Sequence, residues 1–409
     1  MATVLKVPLA SPTPDSQPKP QAALTADQQE KYNWLLEQVK NWKEVPATEG
    51  KAGPITDREK FWLTRECLLR FLRATKWNQK EAEKRILGTL TWRREYGVEE
   101  LTADHISPEN ETGKQIILGY DKEGRVCHYL NPGRQNTEAS PRQVQHLVFM
   151  LERVIDLMPP QVETLSLLIN FKSSKSRSNT APGIGQAREV LNILQNHYPE
   201  RLGRALIINV PWIVNGFFKL ITPFIDPNTR EKLKFNEDMK KYVPAEQLWT
   251  EFNGSLEFDY DHATYWPALQ KMCAEKREAK YQRWVAGGQQ IGELEDFITG
   301  HAQVGVAGPI AAVTSAPEPT PAASAPAPAA EPETVFAPET ALASETALAP
   351  PPVAASVPVA TEAHNEAPAP APDAAAIPEP TPAAAPVEEK KEEEKPKVVA
   401  ATEVGETTA

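Results

Sequence analysis

The stretch that decides the fold of this chain is HYPERLGRALIINVPWIVNGFFKLITPFIDPNTREK, residues 197–232. Within it, Arg204–Val210 predicts a buried strand, and Trp212–Ile225 predicts a helix that is apolar on almost every face. A helix of that kind lies in a core or faces lipid. Its 14 residues are fewer than the roughly 20 that cross a bilayer. An ordinary core helix and a mobile wall over an apolar cavity both fit this pattern.

Strands and helices alternate on both sides of this stretch. Apolar runs at 115–120 and 125–130 flank a short turn and predict a hairpin. TLSLLINF (164–171) and KLKF (232–235) predict two more strands. Amphipathic helices are expected at 144–158, 184–196 and 263–284. Apolar strands that alternate with helices predict an α/β fold with a mixed, mostly parallel sheet.

The rest of the chain divides by composition. Residues 24–108 read as a helical N-terminal lobe, in which Thr25 and Gln28 form a capping box at the start of the first helix. Residues 109–285 read as the α/β lobe. The Pro-rich segment 1–23 is predicted to be a disordered lead-in. Residues 301–409, rich in Ala, Pro and Glu, bury too little apolar surface to offset chain entropy and are predicted to be disordered.

Charge and cysteine usage limit the classes of function. Residues 301–409 carry 16 acidic and 4 basic side chains, so their net charge of −12 accounts for the −11 of the whole chain and leaves residues 1–300 near +1. A nucleic-acid-binding domain needs a strong basic surplus, so no nucleic-acid partner is expected. Three cysteines without CxxC spacing predict reduced, buried thiols. With no signal-peptide pattern, a soluble, cytoplasmic monomer is expected.

No catalytic or metal-binding pattern is found. The seven His are scattered, there is no HExxH, nucleophile elbow or Walker A loop, and Gly183-Ile-Gly185 lacks the third glycine of a dinucleotide fingerprint. No group of residues supplies a nucleophile, a base and a residue that orients the base. The chain is therefore not expected to be an enzyme or to need a cofactor or metal.

Three segments together carry a resemblance to a known family. CLLRFLRATKWNQKEAEKRI (67–86), YPERLG (198–203) and IINVPWIVNGFFKLITPFIDPNTREKL (207–233) resemble the CRAL-TRIO lipid-binding domain of the fungal phosphatidylinositol transfer proteins. The resemblance implies a helical lobe followed by an α/β lobe whose sheet floors a lipid cavity. A mobile gate helix closes that cavity in the family. Its counterparts here, as gate and cavity candidates, are Trp212, Phe217, Phe218, Ile221 and Phe224.

The resemblance also implies a headgroup site for phosphatidylinositol. Matched motif to motif, the headgroup residues are Thr75, Lys76, Glu200, Arg201, Thr229 and Lys232. Lys suits a phosphate as a point charge, and Glu and Thr can hydrogen-bond inositol hydroxyls. Thr75 stands where founding members often have Arg, so the affinity for inositol lipids is expected to be somewhat reduced. A structural ion pair is the alternative role for Glu200 and Lys232.

Two departures from the founding members concern the second ligand. Leu165 and Leu167 stand where small hydroxyl residues hold phosphatidylcholine, so a choline phosphate would lose its hydrogen bonds there. Poor phosphatidylcholine binding is therefore expected, and a sterol becomes a candidate ligand.

The expected function is transfer of phosphatidylinositol between membranes, or its presentation to lipid kinases. The protein would associate peripherally with membranes such as the endoplasmic reticulum, lipid droplets or cell periphery. A sterol or other apolar-lipid binder is the alternative.

Overall fold

The computed structural model describes residues 4–172, 184–212 and 227–309. The α-helices in this part of the chain are α1 Ala26–Asn41, α2 Asp57–Trp62, α3 Arg65–Ala74, α4 Gln79–Tyr96, α5 Ala103–Asn110, α6 Pro141–Leu157, α7 Ile184–His197, α8 Pro227–Glu231, α9 His262–Ala286 and α10 Glu295–Ile298. The strands are β1 Glu44–Val45, β2 Gly53–Pro54, β3 Gln115–Tyr120, β4 Val126–Leu130, β5 Leu165–Asn170, β6 Leu202–Ile208, β7 Leu233–Phe235, β8 Val304–Gly305 and β9 Gly308–Pro309. None of these helices combines the length and apolar character that crossing a bilayer requires.

The helical lobe is built as the sequence predicts. At the start of α1 the Thr25 side chain accepts a hydrogen bond from the Gln28 backbone, and Gln28 returns one to the Thr25 backbone, so the capping box is confirmed. Helices α1, α3 and α4 direct their apolar residues into one core, which includes Leu35, Val39, Leu68, Phe71, Leu72, Ile86 and Leu90. This periodic burial is what holds the three helices together.

The central sheet has five strands in the order β3-β4-β5-β6-β7. Strands β3 and β4 pair antiparallel, whereas β4 to β7 pair parallel. The predicted hairpin and the mixed, mostly parallel sheet are therefore confirmed. Helix α6 packs on β3 and β4 and is itself covered by α9. On the other face, Tyr129 meets Phe252 edge-on with ring centroids 4.7 Å apart.

The boundaries between the two lobes lie at other residues than the sequence composition predicts. Val98 and Ile106 belong to the core of the α/β lobe, so its packing begins before the predicted boundary at 108. After α9 the chain returns to the helical lobe, where the Gly292 N–H donates to the Leu63 carbonyl at 2.7 Å. Phe297 is fully buried in a small cluster there. The antiparallel pair β8–β9 then follows, within the first residues of the segment that was predicted to be disordered from 301 onward.

The predicted disorder of segment 1–23 is wrong for its described residues. The Leu5 N–H donates to the Glu257 carbonyl, and the Leu5 carbonyl accepts from the Asp259 N–H, both at 2.9 Å. Further along, the Gln17 N–H donates to the Lys122 carbonyl at 2.9 Å. These hydrogen bonds fix an extended Pro-rich segment against the α/β lobe. The predicted disordered tail lies outside the described residues from 310 onward.

Candidate functional site

One face of the sheet is only partly covered by the described residues. Along β5, Ser166, Leu168 and Asn170 are buried, whereas Leu167 and Ile169, which face the other way, are half-buried. Leu165 is buried at the start of the strand. In the parallel register Leu167 lies beside Ala205 of β6, and Ala205 lies beside Leu233 of β7. Apolar side chains therefore form a continuous floor across three strands.

The predicted gate helix can be compared with the structure only at its first residue. Trp212, which follows β6, is 81% exposed. An exposed indole with an apolar body and a polar N–H suits a boundary between water and lipid. The other four gate candidates lie outside the described residues: Phe217, Phe218, Ile221 and Phe224.

The Tyr-Pro-Glu-Arg turn is held in place by residues from both lobes. The Tyr198 hydroxyl donates to Glu152 Oε1 at 2.6 Å, and Arg93 Nη1 donates to the same oxygen at 2.8 Å. Burial alone would raise the pKa of Glu152, but the Arg93 guanidinium lowers it to about 2. His197 stacks on Trp92 with ring centroids 4.1 Å apart. The turn is thus anchored before the chain enters β6.

The glutamate of this turn has an unusual backbone. Glu200 adopts φ 59°, a left-handed conformation that is uncommon for a residue with a Cβ. Gly203, at the start of β6, is required by close packing, because a Cβ there would overlap the Arg125 side chain. A strained backbone such as that of Glu200 persists where surrounding contacts fix it, and such residues are concentrated at functional positions.

Four of the headgroup candidates lie at one edge of the sheet. Glu200 and Arg201 immediately precede β6, Lys232 immediately precedes β7, and Thr229 lies in the short helix α8 just before it. The Lys232 N–H donates to the Thr229 carbonyl at 3.1 Å, and the Lys232 carbonyl accepts from Ala205 N at 2.9 Å. Because β6 and β7 are parallel neighbours, the structure brings both pairs of residues to the same sheet edge.

Thr75 and Lys76 lie at the end of α3. Thr75 is the C-cap of this helix, and its hydroxyl donates to the Phe71 carbonyl at 2.9 Å. Lys76 is exposed and adopts φ 52°. Thr75 therefore has a structural role at the end of the helix, and Lys76 follows it with a left-handed backbone.

Arg201 connects the turn to a charged cavity between the lobes. Its Nη1 donates to the Glu163 carbonyl at 3.0 Å, and it lines a cavity of about 600 Å³ together with Arg70, Lys280 and Glu295. Burial, and then the charge of Arg70, lower the pKa of Arg201 to about 10. The other five headgroup candidates do not line this cavity. Sequence reasoning missed it because its residues come from chain segments far apart.

The three cysteines offer no nucleophile. Cys67, Cys127 and Cys273 are buried and free, as predicted. Burial raises the pKa of Cys67 to about 11 and that of Cys273 to about 12. Their thiols therefore stay protonated near neutral pH. Among the described residues, no group of His, Cys, Asp and Glu side chains is arranged to hold a metal ion.

A partly open apolar floor with cationic and hydrogen-bonding groups at its edge is the geometry of a domain that holds an amphipathic ligand. Family models for the CRAL/TRIO domain and the CRAL/TRIO N-terminal domain match residues 110–254 and 31–88. The chain belongs to the CRAL-TRIO family. Proteins of this family are lipid-binding proteins and generally not enzymes.

Three curated relatives illustrate the range of similarity. A CRAL-TRIO domain-containing protein of Schizosaccharomyces pombe is 57% identical over 274 residues, which cover 66% of this chain and 27% of that protein. The phosphatidylinositol transfer protein PDR17 of Saccharomyces cerevisiae is 41% identical over 291 residues, covering 66% of this chain and 83% of PDR17. The SEC14 cytosolic factor of Candida glabrata is 32% identical over 215 residues, which cover 47% of this chain and 71% of that protein. The chain thus matches only about a quarter of the first relative's length.

Proposed function

We propose that this protein binds phosphatidylinositol and transfers it between membranes. The observation that carries the proposal is the arrangement at one sheet edge: Glu200 and Arg201 lie before β6, and Thr229 and Lys232 lie before β7, next to the apolar floor at Leu167. The acyl chains would lie on the floor, and the inositol phosphate would meet the polar edge. The similarity to PDR17, which is named a phosphatidylinositol transfer protein, supports this function.

An enclosed cavity is what such a function requires. Lifting a phospholipid out of a bilayer exposes two acyl chains at about 0.8 kcal/mol per CH₂. Only a large apolar surface can offset that cost. The segment Trp212–Ile225 would cover the floor and open at a membrane, since its first residue is already an exposed indole. The protein would act as a monomer that visits membranes transiently, and lipid kinases would be possible receivers of the lipid.

Phosphatidylcholine would be a poor ligand. Leu165 and Leu167 bring only carbon atoms to the floor, and the hydroxyl of Ser166 on the opposite face of β5 donates to Asp121, so a choline phosphate would find no hydroxyl partner from β5 on the floor. Buried polar groups left without partners cost about 1–3 kcal/mol each. The same apolar floor favours a second candidate function, binding or transfer of a sterol or another apolar lipid.

The decisive experiment compares phosphatidylinositol transfer between vesicles by the wild type and by Glu200→Ala/Lys232→Ala. Loss of a charge-assisted hydrogen bond costs about 1.5–3 kcal/mol, so a loss of about tenfold or more in binding is expected. Lys271→Ala/Glu275→Ala, which removes an exposed ion pair on α9, is the matched control. Mass spectrometry of copurified lipids tests the ligand directly. Unchanged transfer by the first variant would refute the headgroup assignment.

A further inference from the structure

Three polar side chains meet on the same face of the sheet as the apolar floor. Ile117 of β3 is paired with His128 of β4, and Gln115 is two residues before Ile117, so Gln115 and His128 face the same way. Helix α6 covers this region and contributes His146, whose Nδ1 is 3.3 Å from Gln115 Nε2. We call Gln115, His128 and His146 the polar triad.

The two histidines of the polar triad are buried, Gln115 is half-buried, and all three side chains are incompletely hydrogen-bonded. His128 is 4% exposed and His146 is fully buried. Among the residues that the structure describes, His128 Nε2, His146 Nε2 and Gln115 Oε1 are buried without a hydrogen-bond partner. Buried polar atoms are nearly always paired, so three unpaired atoms from adjoining residues need a cause. The amide of Gln247, elsewhere in the same lobe, shows the usual arrangement, because its Oε1 accepts from the Tyr120 N–H at 3.0 Å.

The two imidazoles are uncharged near neutral pH. Burial lowers the pKa of His128 to about 4. Burial, together with the charges of Lys114 and His128, lowers the pKa of His146 well below its usual value. Lys114 itself is paired with Glu109. Each neutral Nε2 can donate or accept one hydrogen bond, and Gln115 Oε1 can accept one.

These atoms match a hydroxyl better than a charged headgroup. A hydroxyl donates one hydrogen bond and accepts others, so it can satisfy a donor and an acceptor of the polar triad at once. A choline phosphate would bring two charges next to groups that carry none, and burying charges without partners is strongly unfavourable.

The polar triad adjoins the apolar floor. His128 is paired in register with Leu167, the half-buried residue of β5. Neighbouring strands lie about 4.8 Å apart, so a ligand resting on Leu167 would have its polar end within reach of His128. We propose that Gln115, His128 and His146 hydrogen-bond the uncharged hydroxyl of a lipid whose body is otherwise apolar, such as a sterol or a diacylglycerol. This proposal shares one premise with the proposed function, namely that the sheet face with Leu165 and Leu167 is the floor of a lipid cavity.

The test uses pairs of lipids that differ by one hydroxyl. Full-length protein is assayed for binding of cholesterol against cholestane, and of dioleoylglycerol against its methyl ether. The wild type should prefer the alcohol about tenfold, the factor that one hydrogen bond of about 1.4 kcal/mol supplies. In His128→Leu/His146→Leu the alcohol and its analogue should bind equally. His105→Leu, at an exposed histidine on α5, should keep the wild-type preference.

The preference for the alcohol is a ratio within one preparation, so a misfolded fraction does not alter it. Leu at position 128 replaces an unpaired polar atom, whereas Leu at position 146 also removes the Nδ1 partner of Gln115 Nε2, so thermal unfolding of the double variant is measured beside its binding. A preference in the sterol pair alone, or in the diacylglycerol pair alone, supports the site and identifies the source of the hydroxyl. No preference in the wild type for either pair would overturn the proposal, with an ordered water then filling the polar triad. Phosphatidylinositol transfer is measured separately, and its absence would refute the proposed function without changing these ratios.

Discussion

Replacing Glu152 with Gln tests how the Tyr-Pro-Glu-Arg turn is held. Its carboxylate accepts from the Tyr198 hydroxyl at 2.6 Å and from Arg93 at 2.8 Å. Burial opposes the charged form, yet Arg93 lowers the pKa of Glu152 from 4.5 to about 2. A carboxyl pKa lowered from 4.5 to about 2 corresponds to on the order of 3 kcal/mol of folding stability. The side chain is 19% exposed, so solvent screens only part of this.

The lowered pKa fixes the direction of the pH dependence. The carboxyl titrates near 4.5 when unfolded and near 2 when folded, so its contribution is present above about pH 5 and is lost as the pH falls to about 2. We expect Glu152→Gln to lower the free energy of unfolding at pH 7 by about 3 kcal/mol and to flatten the decline between those pH values. Urea denaturation at several pH values measures both effects, with the exposed Glu246→Gln as control. The same decline in wild type and Glu152→Gln would refute the reasoning.

Three further changes test the floor, the gate and the lead-in. Leu165→Ser/Leu167→Thr restores hydroxyls to β5 and should raise phosphatidylcholine binding severalfold in a vesicle transfer assay; no gain would exclude these positions as the cause of discrimination. Phe218→Asp/Phe224→Asp should abolish lipid transfer while circular dichroism and thermal unfolding stay close to wild type, and unimpaired transfer would remove these residues from the gate. Leu5→Pro deletes the N–H that donates to the Glu257 carbonyl at 2.9 Å. It should cost about 1 kcal/mol in urea unfolding, whereas an unchanged midpoint would mean that the lead-in adds no stability.

The sequence predicts elements that depend on local chemistry. The Thr25 capping box and the apolar stripe of α6 are readable because capping and helical periodicity involve residues within a few positions of one another. The lead-in was missed, although Leu5 and Val7 are less exposed than Val4 and Lys6, and Pro8 is buried. The alternation ends at Pro8, so it predicts an extended segment only weakly, and the high proline content of the lead-in suggested disorder instead.

The site was predictable only where a motif carries it. Glu200 and Lys232 come from the family motif, and the parallel register then explains why they share an edge. The network that joins Arg70 to Glu163 and Glu295 could not be predicted, because its members are separated by 93 and 225 positions. Such ion pairs depend on how the lobes pack, and spacing in the sequence carries no signal for them.

Arg201 and Arg70 line the same cavity but differ in their electrostatic environment. Arg70 donates to Glu163 at 2.8 Å and to Glu295 at 2.9 Å. Burial opposes its charge, but these carboxylates raise its pKa above the usual value. Arg201 meets only the Glu163 carbonyl and the Met158 sulfur in the described part of the chain and pairs with no carboxylate there. Burial and the charge of Arg70 lower the pKa of the half-buried Arg201, although the charges of Glu295 and Glu163 oppose part of that shift.

The two arginines should respond in opposite ways to replacement by Met. Arg70→Met leaves Glu163 and Glu295 without the cation they share, so we expect a loss of about 3–5 kcal/mol in the free energy of unfolding. Arg201→Met removes a cation that makes no direct ion pair in the described part of the chain, so the lipid-free protein should lose much less stability than Arg70→Met does, while phosphatidylinositol binding falls. Urea unfolding and vesicle transfer separate the two effects. If Arg201→Met destabilised the protein as much as Arg70→Met, groups of the protein itself would already balance the charge of Arg201. Arg201 would then be a structural residue and not a ligand of an anionic headgroup.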